Sequence, residues 1–86
     1  MRLYGVEVSE DDCIILIDLL LRVGREVDHT AAAAIDRGIS VGAKLIALSP
    51  AERDAILGAL GLNPPGGLTE LRAVLVHDYG RRHKKK

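Results

Sequence analysis

The chain of 86 residues contains no phenylalanine or tryptophan, and Tyr4 and Tyr79 are its only tyrosines. A core built without large rings must be aliphatic, and two tyrosines provide no platform on which the bases of single-stranded nucleic acid could stack. The single cysteine, Cys13, excludes a disulfide within the chain and is typical of a protein in a reducing compartment. A chain of this length predicts one domain with a core of modest size.

The sequence also lacks an apolar run long enough to cross a membrane. The densest run, residues 13–23, is interrupted by Asp18 and is far shorter than the roughly 20 residues that a spanning helix needs. The residues before this run are acidic rather than basic, which does not fit a secretory signal peptide. We therefore expect a cytoplasmic protein that has no membrane partner.

The formal net charge is zero, but the charges are unevenly distributed. Five of the twelve basic residues lie in the last six positions, which leaves seven basic against twelve acidic residues in 1–80. This pattern predicts a single helical domain at 1–80 followed by a basic C-terminal tail at 81–86. Such a tail is a candidate contact for nucleic acid or for an acidic partner. Its basic residues are Arg81, Arg82, Lys84, Lys85 and Lys86.

Residues 13–23 form the segment around which the rest of the chain is expected to fold. At 100° per residue, Asp11, Asp18 and Arg22 fall in one narrow sector of a helix, and apolar residues cover roughly two-thirds of the circumference. Ser9 is a predicted N-cap because acidic residues follow it in the first turn. A β-strand is the alternative, since isoleucines favour strands, but the spacing of the polar residues favours a helix.

Two later helices are also predicted from local signals. Ser49 is a predicted N-cap, with Pro50 at the first helical position and Glu52 completing a capping box. Apolar residues spaced three and four apart from Leu68 to Tyr79 predict the last helix. With the helix expected between them, these segments predict an all-α fold, a compact four-helix domain preceded by a short N-terminal extended segment. The expected helices span 10–23, 30–48, 50–60 and 67–79.

Residues 31–48 allow two interpretations. On a helical wheel their polar and apolar residues separate cleanly, which predicts one unbroken helix. Its ridge of small residues would let a neighbouring backbone approach closely, because glycines inside a helix cost about 1 kcal/mol each and need a packing reason. The residues of this ridge are Ala34, Gly38 and Gly42.

The alternative is that residues 34–42 resemble the centre of a helix-turn-helix motif, with a small residue, three positions, then glycine, an aliphatic residue and serine. The resemblance implies a turn at 38–40 and a DNA-recognition helix that starts near Val41. It departs from the motif at Arg37 and Lys44, where apolar residues are expected. A DNA-binding regulator of this kind would use residues 34–47 and the basic tail, with phosphate contacts dominating affinity. Its contact residues would be Lys44, Arg81, Arg82, Lys84, Lys85 and Lys86.

The sequence offers no convincing catalytic or metal site. His77 and Asp78 are adjacent, so on a helix they point about 100° apart and do not form a dyad. Cys13 at a helix N-terminus could be an activated nucleophile, but its apolar neighbours predict a buried residue. The cysteine and histidines have no zinc-ligand spacing, and no phosphate-binding loop is present. We therefore expect no enzymatic activity, no metal and no cofactor.

The function that remains is protein interaction. We expect a small non-catalytic intracellular interaction domain, adaptor or antitoxin-like, that self-associates as a homodimer and has a protein partner that the sequence does not name. The first helix is too apolar for its short neighbours to cover fully. The segment before it alternates apolar and polar residues without a second strand to pair with. The expected interface residues are Tyr4, Val6, Val8, Ile14, Ile17, Leu20 and Leu21.

Overall fold

Four helices that pack against one another and a small three-stranded sheet make up the computed structural model, which describes residues 1–83. The mainly helical fold is confirmed, but the sheet was not expected from the sequence. Strands β1 and β2 open the chain, and β3 lies between the second and third helices. The elements are β1 (Arg2–Leu3), β2 (Val6–Glu7), α1 (Glu10–Val23), α2 (Glu26–Ser40), β3 (Leu45–Ile46), α3 (Pro50–Leu60) and α4 (Leu68–Arg82).

Helix α1 has the bounds that its sequence predicts. The Ser9 hydroxyl accepts a hydrogen bond from the backbone N–H of Asp12 at 3.1 Å, which satisfies one of the free donors of the first turn. The helix ends at Gly24, whose left-handed conformation (φ 79°, ψ 9°) is readily adopted only by a residue without a side chain. Local chemistry at both ends therefore sets the length of α1.

Helix α3 also matches its predicted bounds. The Ser49 hydroxyl accepts from the Glu52 backbone N–H at 3.1 Å, and the Glu52 carboxylate accepts from the Ser49 backbone N–H at 2.8 Å. Pro50 occupies the first helical position, where a missing N–H costs nothing. This reciprocal pair is the capping box that the sequence predicts.

Helix α2 differs from its prediction at both ends, and the expectation of one unbroken helix over 31–48 is wrong. It begins earlier, because the buried Asp28 carboxylate accepts hydrogen bonds from the Arg25 backbone N–H at 3.1 Å and from its guanidinium at 2.8 Å. It ends at Ser40, since Val41 is its C-cap and Gly42 has a φ of 66°. The chain then turns and extends into β3.

The sheet explains why α2 stops. Strand β1 pairs antiparallel with β2 through a tight turn at Tyr4 and Gly5 and parallel with β3 on its other side. The Arg2 backbone N–H donates to the Lys44 carbonyl at 2.8 Å. The expectation that the N-terminal segment lacks a partner strand is therefore wrong, since β3 comes from residues that were expected to be helical.

Helix α4 begins at Leu68, passes through Gly80 and ends at Arg82. Two residues that were assigned to the basic tail therefore belong to a helix. The other basic residues of the tail, Lys84, Lys85 and Lys86, lie outside the described part of the chain.

The core lies where α1, α2 and the sheet meet α3 and α4, and it is aliphatic as expected from the composition. Helix α1 contributes three fully buried side chains on one side, which leaves its opposite side outside the core. The largest fully buried apolar residues are Leu3, Val8, Leu16, Leu20, Ile35, Ile56, Leu68, Leu71 and Leu75.

Candidate interaction surface

The outward side of α1 carries large apolar residues that the chain itself does not cover. Ile14 is 54% exposed and Leu21 is 47% exposed. Because they are seven residues apart, they lie on the same side of the helix, with the partly buried Ile17 between them. Ile15 and Val23 of α1 are also exposed, at 39% and 48%, but they lie outside this row. The row is a candidate contact for another molecule because its apolar side chains are adjacent on one side of the helix.

A groove between α1 and α2 continues this apolar row. Ile17 and Leu21 form its α1 wall, and the small side chains of Ala32 and Ala33 form its α2 wall. Alanines leave a depression that a larger apolar side chain from another molecule can fill. We call the surface formed by Ile14, Ile17, Leu21, Ala32 and Ala33 the α1–α2 face.

Charged and titratable residues border the α1–α2 face. The Arg22 guanidinium lies 3.0 Å from the Asp18 carboxylate, and both side chains are largely exposed. The two residues are four positions apart, the spacing at which opposite charges pair on a helix. On the α2 side, His29 and Asp36 complete the rim of the groove. An apolar centre with a polar rim is the usual arrangement of residues in a protein–protein interface.

The seven residues expected at an interface occupy three different environments. Val6, Val8 and Leu20 are buried in the core of their own chain, so they offer no surface to a partner in this fold. Tyr4 and Ile17 are partly buried against that core. Ile14 and Leu21 are exposed. The part of α1 that can contact a partner is therefore narrower than predicted, one side of the helix rather than most of its circumference.

Sequence reasoning missed the contribution of α2 to this surface. Ala32 and Ala33 lie in a run of four alanines, which gives little indication of which members face the core. The spacing to His29 and Asp36 was the available signal, since Ala33 follows His29 by four positions and precedes Asp36 by three. Three residues on one side of α2 would then have been assigned to a common surface.

A network of ion pairs and hydrogen bonds joins the N-terminal hairpin, α3 and α4. The Arg82 guanidinium donates to the Asp78 carboxylate and to the Asp54 carboxylate of α3, each at 2.6 Å. Hydrogen bonding from the Tyr4 hydroxyl, together with Arg82, lowers the pKa of Asp78 to about 2. The same carboxylate raises the pKa of Tyr4. We call Tyr4, Asp54, Asp78, Arg81 and Arg82 the α4 junction; Arg81 lies 3.5 Å from Asp78.

The α4 junction accounts for a residue that is unusual in the sequence. Asp78 is almost fully buried and lies near the C-terminus of α4, where the helix dipole disfavours a negative charge. Arg82 follows Asp78 by four positions, a spacing that favours an ion pair on a helix, and the two side chains lie 2.6 Å apart. The contact from Arg82 to Asp54 was not predictable from sequence spacing, because 28 positions separate the two residues.

Residues 34–47, which the DNA-binding alternative requires, do not form a helix-turn-helix. Residues 38–40 are helical, and 41–48 contain a turn and strand β3 instead of a recognition helix. Lys44 is exposed. Arg82, however, is held by two carboxylates within its own chain, which makes it less available to phosphate.

The residues with possible catalytic chemistry lie apart or are inaccessible. Cys13 is fully buried, and its sulfur lies 3.6 Å from the Met1 sulfur; burial raises the pKa of its thiol. His77 is exposed, whereas its neighbour Asp78 is held by arginines. In residues 1–83 no three acidic, histidine or cysteine side chains are grouped as a metal site would require. None of the helices described there has the length and apolarity to cross a membrane.

No known protein family, curated protein or solved structure was found to match this chain.

Proposed function

We propose that this chain is a small, non-catalytic protein-interaction domain that acts by self-association through the α1–α2 face. The observation that carries the proposal is the exposure of Ile14 and Leu21 beside a groove lined by alanines. Burying large aliphatic side chains contributes about 1.5–3 kcal/mol each. The apolar side chains of a second copy would fill this groove, and those of the first copy would fill the groove of the second.

A closed two-fold dimer is the simplest assembly of this kind. Two-fold dimers are the commonest soluble homo-oligomers, and the same patch serves both copies. The α1–α2 face suits this symmetry because it has both projecting side chains, Ile14 and Leu21, and a depression at Ala32 and Ala33. We assign the dimer an adaptor or antitoxin-like role in the cytoplasm, where a lone thiol such as Cys13 stays reduced.

Light scattering at micromolar concentrations tests the proposal directly. We expect the wild-type protein to have the mass of a dimer and Leu21→Asp to have the mass of a monomer, because a charge would be buried without a partner. Val76→Asp is the matched control, since Val76 is 41% exposed on α4, away from this face. We expect Val76→Asp to remain a dimer, and circular dichroism should show that both variants keep their helices.

Two results would contradict the proposal. One is a monomeric wild-type mass throughout the concentration range. The other is an equal loss of dimer in Leu21→Asp and Val76→Asp, which would show that the α1–α2 face has no special role.

A further inference from the structure

We infer that the two copies pack with their α1 helices antiparallel, so that Ile14 of each copy meets Leu21 of the other. This inference rests on the proposed function and specifies the arrangement of the partner. It follows from two features of α1, the positions of its exposed apolar residues and the distribution of charge along its outer side.

The apolar residues define the centre of the contact. Ile14 and Leu21 lie at equal distances from a point between Ile17 and Asp18. A two-fold axis through that point reverses the helix direction and superposes the position of Ile14 on that of Leu21. Ile14 and Leu21, the two exposed side chains of this row, then each gain an apolar neighbour. A parallel arrangement places each residue beside its own copy, which brings identical charges together along the whole helix.

The charges on α1 fit the antiparallel arrangement. Glu10, Asp11 and Asp12 lie in the first turn, and Arg22 lies in the last turn. The same two-fold axis brings Asp11 of one copy to nearly the same level as Arg22 of the other. Measured along the helix axis, the two positions are offset by two residues, or about 3 Å at a rise of about 1.5 Å per residue. Within residues 1–83, Asp11 has no basic side chain at ion-pair distance. A second copy supplies one at each end of the contact.

These exposed ion pairs determine orientation more than affinity. Surface pairs typically contribute about 1 kcal/mol or less, whereas charges of the same sign placed opposite each other exclude the wrong arrangement. The two Asp18 carboxylates approach each other near the two-fold axis, and each is neutralised there by Arg22 of its own chain at 3.0 Å. The apolar contact thus holds the copies together, and the ends of α1 determine their direction.

Disulfide cross-linking tests the arrangement without relying on energies. Ile14→Cys and Leu21→Cys are made separately, each with Cys13→Ala so that every chain has one thiol. After mixing and mild oxidation, we expect a covalent dimer that contains one chain of each variant. Each variant alone should give little covalent dimer, because two Ile14 positions lie about 10 Å apart along antiparallel helices.

The outcomes separate this inference from the proposed function. Rapid cross-linking of Ile14→Cys to itself would establish a parallel arrangement and overturn the inference. A dimeric mass by light scattering without any cross-link in the mixture would overturn it as well, while self-association would stand. A monomeric wild-type mass would overturn both. A disulfide that forms in the mixture at least tenfold faster than in either variant alone is the result that we expect.

Discussion

The α1–α2 face and the α4 junction lie on different parts of one small molecule and are stabilised in opposite ways. At the α4 junction, Arg82 is bound by Asp54 and Asp78, so charged groups from two helices satisfy one another within the chain. At the α1–α2 face, Ile14 and Leu21 remain exposed. One region has its partners in its own sequence, and the other lacks them. A second molecule would therefore add more stability at the α1–α2 face than at the α4 junction.

The α4 junction also shows how the N-terminal hairpin is held against the helices in a chain without phenylalanine or tryptophan. The Arg53 guanidinium lies 4.6 Å above the ring of Tyr4, within the range of a cation–π contact. The Tyr4 side chain therefore contacts α3 on its face, while its hydroxyl lies beside Asp78 of α4. Polar contacts therefore join the hairpin of β1 and β2 to α3 and α4, whereas apolar packing holds α1 against its neighbours.

The largest expected effect comes from the inward side of α1. Leu20→Asp should unfold the protein, because Leu20 is 0% exposed and an unpaired buried charge costs about 3–5 kcal/mol or more. Leu21→Asp, one position away, should keep the fold and lose only the dimer. Urea denaturation followed by circular dichroism measures the first effect. A folded Leu20→Asp monomer would show that α1 contributes little to the core.

The next effect concerns the α4 junction. Asp78→Asn should lower the urea midpoint clearly, because Arg82 and Arg81 lose a shared carboxylate that is nearly buried. The control is Glu70→Gln, which removes an exposed carboxylate from the same helix. Association through the α1–α2 face should be the same in both variants. Equal midpoints for Asp78→Asn and Glu70→Gln would contradict a stabilising role for the network.

Acid should weaken the α4 junction before it affects apolar contacts. The folded pKa of Asp78 is about 2, below its ordinary value of 3.8. Its stabilising contribution is therefore present above the ordinary pKa and is lost as the pH falls towards 2. Wild-type stability measured in urea from about pH 5 to pH 2 should fall more steeply than that of Asp78→Asn. Identical slopes would show that Asp78 titrates normally in the folded protein.

A smaller effect is expected where β3 packs on α2. A methyl group added at Gly38 would lie 2.7 Å from Cγ1 of Ile46, so Gly38→Ala should destabilise the fold by about 1–3 kcal/mol. Gly58→Ala is the matched control, because Gly58 is also helical and has open space around it. That variant should be neutral or stabilised by up to about 1 kcal/mol. Similar midpoints for the two variants would show that Ile46 moves away without cost.

A charge reversal at the start of α1 should change the stability of the fold least but should clearly weaken the dimer. Asp11→Arg removes an acidic residue from the first turn of α1, which costs about 0.3–1 kcal/mol through the helix dipole. Glu70→Arg in the first turn of α4 is the control for that cost. We expect the dimer dissociation constant, measured by sedimentation at low salt, to rise about fivefold for Asp11→Arg alone. Mixing it with Arg22→Asp should restore association, since opposite charges then meet at both ends.

The sequence alone determined the elements whose ends depend on nearby residues. Helices α1 and α3 were predicted with their observed bounds, because each cap is formed by residues no more than four positions from the helix end. The aliphatic core and the pair between Asp78 and Arg82 also follow from composition and short spacing. In each case the interacting groups are close in sequence, so their geometry is fixed once a helix forms.

Only the tertiary structure decided the conformation of residues 41–48 and which side of α1 remains exposed. Their wheel pattern continues that of α2, but the backbone of β1 needs hydrogen-bond partners, and Lys44 to Ile46 provide them from more than 40 positions away. The sequence likewise showed that apolar residues cover roughly two-thirds of the circumference of α1, without showing which part its neighbours would cover. Leu20 and Leu21 have the same chemistry, and only packing makes one a core residue and the other an exposed one.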